Sequence, residues 1–218
     1  MKRLPKDFVA TFLPFALKTQ QKTGISAVAI LAQAALESGW GEKTPGNMFF
    51  GIKAKASDPE SRRQLVTTTE YLSSPDSGHL FPELLSITKV GPKRWKYKVK
   101  DWFRKYETPE GSFNDHTQFF LKNKRYAEAL KVGNDPVAFF REIAKAGYAT
   151  GPGYFELLTQ VARMIERHMP AAPAVSAAPA HRGVVLPPPE EISGALPEIS
   201  EEALRLLVRN RPKRRKKG

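Results

Sequence analysis

Residues 25–38, ISAVAILAQAALES, carry apolar or small side chains on almost every side of a helix. A surface helix buries one stripe and keeps its other face polar, so a helix that is apolar all round has to be enclosed by the rest of the fold. Ser26 is placed as its N-cap and Gly39 as its C-terminal stop. The segment therefore fixes the centre of the molecule. It also isolates Glu37, the one carboxylate in the run, which falls in the last turn just ahead of Ser38, Gly39 and Trp40.

On a helix Glu37 shares a face with Gln33 and Ile30. The last turn of a helix exposes unpaired carbonyls, which disfavour a carboxylate. Apolar neighbours and the Trp40 indole add desolvation, and both effects raise the pKa of a carboxyl group. A carboxylic acid still protonated near neutral pH is what a general acid for glycosidic cleavage requires. A helical glutamate is ordinarily a solvated surface residue, however, and chemistry alone leaves both readings open.

Around this centre the pattern is mostly helical. Phe8, Phe12 and Phe15 recur at helical spacing and Gly24 breaks the run. Near residue 65 the rhythm changes. In LVTTTEYL the residues Val66, Thr68 and Glu70 share one face at period two, and RWKYKVKDWF sets Trp95, Tyr97 and Val99 against Lys96, Lys98 and Lys100. LLSITKV is a candidate strand between them, which makes a small antiparallel sheet or hairpin inserted between helical segments. Helices return with Phe113, Phe119, Phe120, Tyr126 and Leu130. DPVAFFREIAKAG follows, opened by Asp135 and Pro136, and GYFELLTQVARMIERH closes the lobe.

Residues 1–170 are therefore read as one α+β domain. The Ala/Pro-rich stretch 171–199 reads as a semi-rigid linker, and 200–218 as a short helix ending in the basic run RPKRRKKG. The Lys-Arg start and short apolar run at the N-terminus suggest a signal peptide. Asp7, Pro14 and the want of a small-residue cleavage site argue against one. No stretch reaches the roughly 20 apolar residues of a membrane span.

The chain has no cysteine, and its four histidines lie far apart, so neither a thiolate site nor a metal or cofactor is called for. The net charge is +13, from 35 Lys/Arg against 22 Asp/Glu, and only nine of the cations follow residue 170. A basic body points to a polyanionic partner: nucleic acid, or a bacterial wall with its carboxylates and phosphates. No helix-turn-helix, RRM or zinc pattern supports specific nucleic-acid binding.

AQAALESGWG, followed in order by FFGIKA, TTEY, FRKY, RY and AGYAT, resembles glycoside hydrolase family 73 from about residue 5 to residue 168. These are bacterial peptidoglycan N-acetylglucosaminidases, including the muramidase-like domain of a flagellar-rod protein. The resemblance implies a lysozyme-like fold, a helical lobe and a small β-hairpin flanking an active-site groove. It matches Glu37 to the general acid, Glu70 to a second carboxylate on the hairpin, and Tyr148 to a cleft tyrosine that positions the substrate's N-acetyl group. Asn47, a candidate substrate-binding asparagine of the cleft, stands one position early relative to the family's NLFG, here MFFG, and Gly151 replaces an aspartate. The stretch from Ser73 to Lys93 is longer than the family's hairpin tip.

Trp40, Phe50, Tyr71 and Tyr126 are candidate sugar-binding aromatics, with Trp40 and Tyr71 the two expected to touch glycan. Glu70 is open between a catalytic role and an auxiliary one, with the sugar's own acetamido oxygen attacking. Inverting enzymes hold their carboxylates ~6.5–9.5 Å apart and retaining ones ~5–5.5 Å.

The expected function is cleavage of the β-1,4 bond after N-acetylglucosamine in peptidoglycan by a monomer. Its partners would be glycan strands, with the basic tail on anionic wall polymers or a membrane surface. The alternatives are a muramidase or lytic transglycosylase, and a non-catalytic wall-binding assembly factor. Such an enzyme works in the periplasm or wall. Without a classical signal it would arrive by lysis, a holin-type lesion or a dedicated export route, as a prophage-type lysin does.

Overall fold

The computed structural model describes residues 3–148 and 153–170. The expected linker, the C-terminal helix, the basic tail and Gly151 lie outside the described residues. Helix α1 (Pro5–Thr23) ends at Gly24, whose left-handed backbone (φ 73°) lets its N–H donate to the Gln20 carbonyl. Helix α2 (Ala27–Ser38) starts as its sequence predicts, with the Ser26 hydroxyl accepting from the Val28 N–H, and stops at left-handed Gly39. Ten of its twelve residues are buried. It packs against α1 on one side, and its five alanines let neighbouring helices come close.

The chain then passes through an extended stretch into the sheet. Strands β1 (Arg63–Leu72), β2 (Glu83–Gly91) and β3 (Arg94–Arg104) are antiparallel in the order β1-β3-β2. In register, Glu70 faces Tyr97 and Thr68 faces Val99. Directly opposed residues share a face, so Trp95, Tyr97 and Val99 lie on the Glu70 side and the three lysines on the other, as the alternation predicts. The long 73–93 stretch supplies β2 together with a loop that covers Tyr97. The Tyr97 hydroxyl donates to the Ser74 carbonyl at 2.5 Å and accepts from the Ser77 N–H at 3.2 Å.

The second half of the helical lobe comprises α3 (Pro109–Leu121), the short α4 (Ala127–Lys131), α5 (Pro136–Lys145) and α6 (Tyr154–Glu166). Asp135 caps α5 by accepting from the Val137 and Ala138 N–H groups, with Pro136 at the first turn. Helix α6 lies along α2, and together the helices bury a core rich in phenylalanine. No helix among the described residues is long and apolar enough to cross a membrane.

Sheet and lobe are joined where the 46–55 segment runs beside the end of β3. The Arg104 N–H donates to the Ile52 carbonyl and the Ala54 N–H to the Trp102 carbonyl. Gly46 makes this approach possible. Its φ is 58°, and a Cβ there would meet both Gln64 Oε1 and Lys105 Cβ at 2.7 Å.

Candidate active site

Glu37 is half-buried in the last turn of α2, and the turn beyond it is tightly fastened. The Ser38 hydroxyl donates to the Ala34 carbonyl at 2.5 Å and accepts from the Gly41 N–H at 2.8 Å. The Trp40 N–H donates to the Ala35 carbonyl at 2.8 Å. Gly39 and Trp40 both take left-handed backbone at φ 60°. The chain thus turns sharply away and leaves the glutamate at the mouth of a cleft of about 510 Å³. The other walls come from the 50–55 segment, the end of β3, the C-terminal half of α3 with the following turn, and Tyr148 after α5.

The helical side of this cleft is an aromatic assembly. His116 is buried and lies flat on Phe50, with ring centroids 3.7 Å apart and planes within 6°. Its Nε2 is hydrogen-bonded to the Tyr148 hydroxyl at 2.8 Å. Phe119, Phe120, Tyr126 and Tyr154 surround the Tyr148 ring. Beneath them Tyr154 is buried, and that burial raises its hydroxyl pKa well above the ordinary value. Nearby Tyr148 and Glu37 raise it further. Gln33 comes close enough to oppose that rise slightly, yet neither its Nε2 nor the Tyr154 hydroxyl completes a hydrogen bond. Burial also pushes up the Tyr126 hydroxyl, partly offset by Arg125.

The sheet side is ionic. Lys53 Nζ donates to Glu70 Oε1 at 3.0 Å and to Asp101 Oδ2, and sits 4.2 Å from the centre of the Phe103 ring. Arg104 donates through Nε and Nη2 to Asp58 and through Nη1 to Asp115, which also accepts from the Tyr106 hydroxyl at 2.6 Å. The Arg104 hydrogen bond, then the Lys55 backbone N–H, hold the Asp58 carboxyl below its ordinary 3.8. A carboxyl whose pKa is lowered by folding stabilises the fold above its unfolded value, and that contribution is lost as pH falls towards the folded value. Asp58→Asn is therefore expected to lower the thermal midpoint at pH 7. The gap to wild type should close on acidification through the carboxylate range, as followed by circular dichroism.

The cleft brings together Glu37, Tyr148, Phe50 and Tyr126. Two other sequence expectations are corrected, those for Trp40 and Asn47, while Tyr71 and Glu70 are not among the residues that line this cleft. Trp40 is only 4% exposed and meets Phe8 edge-on at 5.5 Å, so it is a core residue and not a sugar platform. Asn47 does not line the cleft. Its Nδ2 donates to the Tyr106 and Glu107 carbonyls at 3.0 Å each, pinning the turn to the chain after β3. Tyr71 points from the sheet face opposite Glu70 and lies under the Arg94 guanidinium, 4.7 Å from its ring centre. Glu70 is paired with Lys53, which does line the cleft.

His116 is the residue that sequence reasoning passed over. Its spacing to Phe113 and Phe120 marks it as a core position on α3, and a buried histidine on an aromatic face is the available signal.

A helical lobe with a cleft-facing glutamate at a helix end, beside a small antiparallel sheet, is the arrangement of lysozyme-like glycoside hydrolase domains. Residues 13–167 match the Glucosaminidase family, described as mannosyl-glycoprotein endo-beta-N-acetylglucosaminidase. The chain belongs to this family. It is 34% identical over 176 residues to the peptidoglycan hydrolase FlgJ of Pseudomonas aeruginosa, covering 77% of this chain and 38% of that protein. To FlgJ of Vibrio parahaemolyticus it is 35% identical over 168 residues, covering 74% and 48%. The chain thus spans less than half the length of these curated relatives. The glycoside hydrolase domain of Salmonella typhimurium FlgJ superposes with a TM-score of 0.56 at 28% identity, covering 76% of this chain and 90% of that one.

Proposed function

We propose that the chain is a bacterial cell-wall hydrolase that cleaves the β-1,4 bond after N-acetylglucosamine in peptidoglycan, with Glu37 as the general acid. The observation that carries this reading is the placement of Glu37, fixed at a helix end in a cleft whose aromatic side presents the hydrogen-bonded His116–Tyr148 pair. Relatives that bear the name peptidoglycan hydrolase support the substrate class. That substrate lies outside the cytoplasmic membrane, in the wall.

In the proposed reaction the Glu37 carboxyl gives its proton to the glycosidic oxygen as the bond from that oxygen to the anomeric carbon breaks. The place of Glu70, engaged with Lys53 outside the cleft lining, favours attack by the sugar's own acetamido oxygen over attack by a Glu70 carboxylate. Tyr148 holds the acetamido group in line. Water then opens the cyclic intermediate at the anomeric carbon, with the Glu37 carboxylate taking its proton, and the product retains its configuration. Glu70 acts through Lys53 by fixing that ammonium at the cleft edge.

Mass spectrometry of digested peptidoglycan tests the bond assignment. Fragments ending in reducing N-acetylglucosamine are expected, and reducing or anhydro N-acetylmuramic acid ends would refute it. Proton NMR of the first products tests the route, since inversion at the anomeric carbon would replace the acetamido attack with direct attack by water.

A further inference from the structure

We infer that the mouth of the cleft reads carboxylates: Lys55 and Lys122, with Arg125 beside them, select glycan strands bearing acidic substituents over neutral ones. This rests on the function proposed above and specifies the substrate chemistry of the same site. Five cations line the cleft against the carboxylates of Glu37 and Asp115. Two of the five are matched within the protein, Lys53 by Glu70 and Asp101, and Arg104 by Asp58 and Asp115. Arg125 lies over the Tyr126 ring at 4.7 Å and donates to its hydroxyl. Lys55 and Lys122 are exposed and enter no salt bridge among the described residues.

The two lysines come from separate parts of the chain. Lys55 belongs to the segment leading to the sheet and Lys122 caps the end of α3. A cation at a helix C-terminus has a structural reason for its charge. Lys55 has a weaker one, since its charge helps Arg104 to lower the Asp58 pKa. Asp58 is already gripped by Arg104, however, and Lys55 forms no salt bridge with it. A neutral polysaccharide offers hydroxyls and apolar ring faces, and gives such a pair nothing to bind. Peptidoglycan carries carboxylates on every second sugar, on the lactyl group or on the peptide attached to it, so a bound strand brings negative charge to the mouth at a regular interval. Attraction at an exposed rim is local, because salt screens charge beyond roughly 8 Å at physiological ionic strength.

The overall charge of +13 attracts any polyanion, so the experiment has to separate the rim from the whole. The full chain, a Lys55→Gln/Lys122→Gln variant and a Lys6→Gln/Lys131→Gln variant of equal net charge are compared on two substrates. One is soluble peptide-bearing glycan fragments, and the other is the same fragments with their carboxylates amidated. Wild type is expected to show the lower KM on the acidic fragments. The rim variant should raise that KM roughly three- to tenfold, as exposed ion pairs allow, and leave the amidated substrate unchanged. The Lys6/Lys131 variant should change neither.

Equal KM values for wild type on the two substrates would overturn the inference. So would equal losses on both substrates in the rim variant, or a matching loss in the Lys6/Lys131 variant. If wild type hydrolyses neither substrate, the proposed activity fails on its own. The rim is then judged by calorimetric binding of the same two fragment sets to Glu37→Gln protein, with and without the rim substitutions, where the same contrast supports or overturns it.

Discussion

Glu37→Gln is expected to abolish wall lysis, lowering the rate by about 10²–10⁴-fold or more, while wall binding survives. Glutamine keeps the size and hydrogen-bonding capacity of glutamic acid but has no acidic proton to give. Ser38, Gly39 and Trp40 fasten the turn through their own hydrogen bonds and backbone, and the amide keeps the shape of the side chain. The variant should therefore fold with an unchanged thermal midpoint and still sediment with purified walls. Turbidity of a wall suspension measures the lysis and co-sedimentation the binding. Undiminished lysis would remove Glu37 from the mechanism, whereas loss of binding together with folding would show that the helix end had been misread.

Phe120→Ala should give the largest loss of stability. The ring is fully buried and touches His116, Phe119, Tyr126, Phe139 and Tyr148, all with centroids between 5.1 and 5.6 Å. Removing such a ring from a packed interior costs about 3–5 kcal/mol, which for a domain of this size lowers the thermal midpoint by roughly 10 °C. Because two of those neighbours are Tyr148 and its hydrogen-bond partner His116, kcat should also fall at temperatures where the variant is still folded. Phe120→Leu, which keeps most of the apolar volume, should recover most of the midpoint. A midpoint unchanged in Phe120→Ala would contradict the packing described for the cleft floor.

The elements that could be read from sequence are those decided by local chemistry. An apolar run between a serine cap and a glycine stop gave α2, and strict alternation gave β3 with its lysines and aromatics on opposite faces. Asp135 followed by Pro136 gave the start of α5. The same kind of signal found Glu37, because an acid in the last turn of an apolar helix conflicts with its surroundings. Tyr148 and Glu70 came from the family resemblance.

What stayed hidden depends on contacts between distant segments. Trp40 beside a catalytic-looking acid resembles a sugar platform until Phe8, more than thirty residues earlier, covers it. Asn47 resembles a cleft residue until the carbonyls of Tyr106 and Glu107 claim its amide. The pairing of Lys53 with Glu70 and Asp101 joins three places in the chain that no periodicity connects. That pairing ties Glu70 to Lys53, a contact that its position on a strand does not reveal.

Arg104 sits at the end of β3 and grips Asp58, ahead of the sheet, and Asp115, within α3. It acts as a rivet through both banks of the cleft, with the Tyr106 hydroxyl as a washer on the α3 side. Ties of this kind oppose a spreading of the banks. Under the proposed function, a glycan would be laid along a cleft whose banks are already tied, a way of meeting a continuous mesh that needs no free chain end.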